Sequence, residues 1–182
     1  MKLLNLIFAA IIMLFTYISG NAQDVYGTLN GQMLITVVAN DSVLKITNEE
    51  LLIQLNYETA RITIKMDKSN FITGVDTLDQ KLALLKYNII EYSGKFNLDR
   101  IDREEHPPLD FDVEGVVSTY EQIIKGKGHL EHISNRGTFS CLLTLKFNIN
   151  KNDLGLDLQQ FTIDDDVQIE IVQSVLNRYN DQ

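Results

Sequence analysis

Apolar and polar residues alternate one by one through most of this chain. That is the period-2 signature of strands burying one face. In LDFDVEGVV, Leu109, Phe111, Val113 and Val117 fall on one side, and Asp110, Asp112 and Glu114 on the other. In TFSCLLTLKFNI, Phe139, Cys141, Leu143, Leu145, Phe147 and Ile149 oppose Thr138, Ser140, Thr144, Lys146 and Asn148, with Leu142 the exception. Shorter runs, QMLITVV, VLKIT, LLIQLNY and RITIKM, read as further strands. NDS at 40–42 and NRG at 135–137 read as turns between strands, and GTLNG around Gly27 and Gly31 as another. One-sided strands joined by short turns predict an antiparallel sheet with one wet face. Closing that sheet into a barrel removes its exposed edges. The expected fold class is therefore mainly β: an antiparallel, lipocalin-like barrel of about eight strands with one short helix.

The helix is the one break in the alternation. DTLDQKLALLKY places Leu78, Leu82 and Leu85 at helical spacing, with Asp76 or Thr77 as cap, which predicts a helix over about 76–87 across one end or face of the sheet. The C-terminal VQIEIVQSVLNRY alternates at Val167, Ile169 and Ile171, and its spacing after Val172 also suits a helix. The charged stretch LDRIDREEHPP, 98–108, holds both prolines of the chain and reads as a loop within one domain.

Residues 1–22 carry the three-part pattern of a secretory signal: Lys2, the apolar run LLNLIFAAIIMLF, then GNAQ with Gly20 and Ala22 ahead of Gln23. Removing 22 of 182 residues leaves 160, enough for a single domain over 23–182 with a real core. The expected location is periplasmic or secreted, with no membrane span in the mature chain. The net charge is −9, and −10 once Lys2 is gone, a balance that repels nucleic acid. One cysteine allows no internal disulfide, and Cys141 lies in an apolar strand pattern that suits an inert, buried thiol.

Chemistry-bearing residues are few. GKGHLEHISN holds two of the three histidines, but along a strand His129 and Glu131 face one way while Leu130 and His132 face the other. Opposed side chains cannot hold one ion, and zinc needs three or four convergent ligands, so no metal is expected. His106 sits beside two prolines in a loop, and no serine or cysteine has a histidine partner by context, so catalytic residues and cofactors are expected to be none. DDD at 164–166 lacks the alternating ligands of a calcium loop and reads as a solvated turn.

Several stretches together resemble the YceI-like family of exported, lipocalin-like barrels of polyisoprenoid-binding type, loosely over about 24–176. They are ARITIKMDKSNFITG, TLDQKLALLKYN, HPPLDFDVEG, TFSCLLTLKFNINKNDLGLDL and DDDVQIEIVQSVL. The resemblance implies an apolar long-chain ligand, isoprenoid or fatty, inside the barrel. Candidate lining residues are Leu55, Ile62, Ile64, Phe111, Val113, Phe139, Leu143, Leu145, Phe147, Val167 and Ile169. The same side chains serve a tunnel lining or a solid core equally well, since barrels of this size do either. Two non-catalytic readings follow. One is an exported binding protein for an apolar chain. The other is a cell-envelope structural or interaction protein with a filled core. An enzyme would need a convergent titratable cluster, which the sequence does not present.

Overall fold

The computed structural model describes residues 24–39, 42–85, 88–102, 107–118, 120–135, 138–151 and 165–178. Eight strands follow one another around a closed antiparallel barrel: β1 (Val25–Ala39), β2 (Ser42–Asn56), β3 (Arg61–Asp67), β4 (Ile89–Phe96), β5 (Leu109–Val117), β6 (Tyr120–Asn135), β7 (Thr138–Asn150) and β8 (Asp166–Arg178). Each strand pairs with the next, and β8 returns to β1. The mainly β barrel expected from the alternation is the one observed. The leader-like residues 1–22 and His106 lie outside the described residues, as do residues 40–41 and 136–137 within the two expected hairpin turns.

Alternation places the core. β5 buries Phe111, Val113 and Val117, and β7 buries Cys141, Leu143, Leu145, Phe147 and Ile149. VLKIT and LLIQLNY are not separate strands but one continuous β2. GTLNG is not a turn either. It runs inside β1, where the register against β2 slips between Thr28 and Gly31 and again before Met33. Gly31 belongs there because a side chain would enter the space of Ile53 Cδ1, 2.7 Å from the position of its Cβ.

The crossover from β3 to β4 closes one end. A 3-10 turn (Lys68–Asn70) leads to the helix α1 (Asp76–Ala83), which buries Leu78 and Leu82 against the core. Neither Asp76 nor Thr77 caps it. Val75 occupies the cap position without a side-chain bond, and the Asp79 carboxylate reaches back instead. It accepts from the Thr73 N–H at 2.7 Å, the Thr73 hydroxyl at 2.6 Å and the Gly74 N–H at 3.2 Å. Those bonds hold the Asp79 carboxyl below its ordinary value. The helix ends at Ala83, short of the expected 87; Leu84 and Leu85 follow it and residues 86–87 are not described.

The segment after Val172 is strand, not helix. Leu143 pairs with Ser174 while Leu145 pairs with Ile171, so β8 carries one extra residue there. Gln173 takes φ 36°, the left-handed backbone of a bulge. The bulge moves the inward face from Ile171 to Ser174 and Leu176.

Candidate functional site

Three places merit chemical scrutiny: the barrel interior, its mouth beside β1 and β8, and the outer wall of β4–β7. In the interior, ten of the eleven candidate residues point inward and none exceeds 4% exposure: Leu55, Ile62, Ile64, Phe111, Val113, Leu143, Leu145, Phe147, Val167 and Ile169. The eleventh, Phe139, lies on β7, and its side chain is not among those described. Where β4–β7 meet, aromatic rings pair inside the barrel. Phe96 stacks on Phe111 with ring centres 3.7 Å apart, and Tyr92 on Phe147 at 5.0 Å. Inward glycines make room for them. A Cβ on Gly128 would lie 2.3 Å from Phe111 Cζ, and one on Gly115 would lie 2.7 Å from Tyr92 Cζ. Burial raises the Tyr92 phenol, with Glu114 adding to the rise.

At the mouth, Tyr57 is the hub. Its hydroxyl lies 2.5 Å from Cys141 Sγ and 3.1 Å from His132 Nε2, and its ring stacks on Tyr26 at 4.3 Å. Burial pushes the Cys141 thiol up to about 11, against a partial counter-effect of the Tyr57 bond, and raises the Tyr57 phenol as well. A thiol held protonated beside a phenol held protonated is a structural pair, not a nucleophile and its base. Beside it, Arg178 on β8 bonds the Asp24 carboxylate, which is almost wholly buried, while the Asp24 carbonyl accepts from the Tyr57 N–H at 3.0 Å.

The two histidines of β6 separate as alternation requires. His132 turns toward Tyr57 and the interior. His129 turns outward, its Nδ1 2.7 Å from Asp110 Oδ1. Among the described residues, no group of three His, Cys, Asp or Glu side chains gathers where a metal could sit. Asp165, from the expected solvated turn at 164–166, pairs with Lys151 at 3.1 Å.

The outer wall of β4–β7 carries a groove of about 1010 Å³ that sequence reasoning missed. Its outline follows three neighbouring cross-strand rows. One outward row runs Lys95, Glu114, Lys125, with Asn148 beside it. The other runs Asn97, Asp112, Lys127, Lys146. Between them lies the backbone of the inward row Phe96, Val113, Gly126, Phe147. Side chains of the inward row are buried, so the groove lies outside the barrel, its apolar surface supplied by lysine stems and floor carbons. Lys125 pairs with Glu114 at 2.8 Å, and Lys146 with Glu170 at 3.0 Å. The four lysines come from three strands distant in sequence, so only the register reveals them.

No family model matches the chain, and no curated protein does. Solved structures match in shape. A polyisoprenoid-binding domain from Saccharophagus degradans, implicated in plant cell wall breakdown, superposes with a TM-score of 0.62 at 11% identity. The match covers 85% of this chain and 97% of that one. BcnA from Burkholderia cenocepacia superposes with a TM-score of 0.50 at 12% identity, over 79% of this chain and 94% of that one. The YceI-like resemblance in the sequence and these structural matches thus agree on one architecture, and the chain has the barrel fold of a polyisoprenoid-binding domain.

Proposed function

We propose that the protein is an exported, non-catalytic binding module that works through its outer surface, with the barrel interior serving as a solid core. The closure of the interior carries this reading, since the ten candidate residues described there expose 4% or less of their surface. A chain-like ligand inside would displace them, and each Leu or Ile moved out of the core forfeits roughly 1.5–3 kcal/mol of burial. The protonated Cys141–Tyr57 pair gives no support to nucleophilic catalysis. Export rests on the leader pattern of residues 1–22.

A second reading is favoured by the fold. The Saccharophagus degradans neighbour is a polyisoprenoid-binding domain, and the interior here is mostly apolar, so an isoprenoid or fatty chain would meet few polar groups inside. One experiment separates the two. Freshly purified protein is extracted with organic solvent for mass spectrometry, then titrated with an uncharged pyrene-labelled acyl ester. The solid-core reading expects no co-purified lipid and no uptake. Lipid in the extract, or uptake that Leu143→Trp abolishes, overturns it in favour of ligand carriage.

A further inference from the structure

We propose that the groove on the outer wall of β4–β7 binds a small anionic amphiphile, a carboxylate or phosphate ester carrying an apolar body. The inference rests on the reading that the outer surface does the binding. Four lysines, Lys95, Lys125, Lys127 and Lys146, meet two carboxylates, Asp112 and Glu114, in a chain whose net charge is −9. Positive charge is therefore concentrated where the rest of the molecule is negative, which is the complementarity an anion needs.

The lysines are not equivalent. Lys125 and Lys146 are engaged by Glu114 and Glu170. Lys95 and Lys127 have no ion pair among the described residues. Lys127 stands directly across from Lys146 in the register, a like-charge pairing that works against the sheet. Asp112 stands across from Lys127 on the other side but forms no ion pair with it. An anion bridging Lys95 and Lys127 would offset that repulsion and add charge-assisted hydrogen bonds. The occupant's size follows from the groove, since about 1010 Å³ sits at the upper end of small-molecule sites rather than on the flat scale of a protein interface. The lysine stems and backbone carbons of the floor suit an apolar body.

The test is isothermal titration of the mature protein with laurate, dodecyl phosphate, inorganic phosphate and dodecyl maltoside, each amphiphile below its micellar concentration. Laurate or dodecyl phosphate should bind once per chain, more weakly as salt rises. Dodecyl maltoside, with the same tail and no charge, should not compete. Inorganic phosphate binding as well as dodecyl phosphate would show a simple anion site and overturn the amphiphile assignment. A Lys95→Ala/Lys127→Ala variant, with unchanged circular dichroism and melting temperature, should lose at least about tenfold in affinity, as two charge-assisted contacts imply. Wild-type affinity in that variant, or equal binding of the charged and neutral amphiphiles, overturns the proposal. Laurate binding that survives the lysine changes but is lost in Leu143→Trp places the ligand inside and overturns the solid core as well. No binding of either anionic amphiphile, with a closed interior, overturns the groove alone.

Discussion

On the inner side of β4–β7, Tyr92, Phe96, Phe111 and Phe147 stack in pairs over glycines, and a Cβ added at Gly94, Gly115, Gly126 or Gly128 would lie 2.8 Å or less from a neighbouring atom. On the outer side of the same strands, lysines stand across a groove, two of them without an ion pair among the described residues. One backbone thus carries a surface fixed by packing and a surface whose charges sit worse than the fold alone requires. Where packing determines every residue, composition reports the fold. Where it determines none, an unfavourable arrangement such as Lys127 facing Lys146 points to a partner.

The sharpest way to break this contrast is Gly115→Ala. The new methyl would meet the Ser93 carbonyl oxygen at 2.5 Å and Gly94 Cα at 2.7 Å, both backbone atoms that cannot swing aside. We expect a loss of about 3 kcal/mol in urea unfolding, the upper range of overpacking. A near-neutral result would show that the inner surface has slack.

Leu143→Trp probes the middle of the barrel, where Leu143 is fully buried. A solid core predicts a cost of about 2 kcal/mol by the same measurement. Alkaline titration probes the buried thiol and phenols. Cys141 rises to about 11 and the Tyr57 and Tyr92 phenols rise too, so the folded state holds these protons more tightly than the unfolded state. The stability they contribute is intact below about pH 9 and declines as pH climbs toward 11. For Cys141 that decline is about 2 kcal/mol, measured as the shift in urea midpoint across that window. Alkylation of Cys141 by iodoacetamide at pH 8 should proceed only as fast as the protein unfolds.

Lys127→Ala should have the smallest effect. With no ligand present, removing one member of the Lys127–Lys146 pair should stabilise the fold by about 0.5 kcal/mol or less, and the gain should vanish in high salt. A loss of stability instead would mean that Lys127 is held by the fold and not left for a partner.

The sequence made the barrel legible because its signal is local: Leu109, Phe111 and Val113, or Cys141 through Ile149, announce their buried face within a few residues. It left β8 after Val172 open between strand and helix because one extra residue at the bulge shifts the phase, and the Val172–Leu176 spacing then imitates a helical turn. It placed Leu78 and Leu82 on the buried side of α1 but assigned the cap to Asp76 or Thr77. No side chain caps this helix; Asp79, inside it, instead binds Thr73 and Gly74 ahead of its start. The groove and the Tyr57–Cys141–His132 cluster were invisible for another reason. Both depend on which residues the register brings opposite one another, and alternation alone does not specify register.

The closure of the barrel sets an order of events for the growing chain. β1 pairs with β8 at Tyr26 and Gly27 and again from Met33 to Thr36; between them the Gln32 N–H reaches Ser174 Oγ at 3.1 Å. Asp24, ahead of β1, is bound by Arg178 at the end of β8. The first strand therefore cannot complete its hydrogen bonding until the last one has been synthesised, and the buried Asp24 carboxylate lacks its Arg178 partner until then. Such non-local pairing slows folding. A polypeptide built this way stays open for as long as β8 is unmade, and seals only when β8 meets β1.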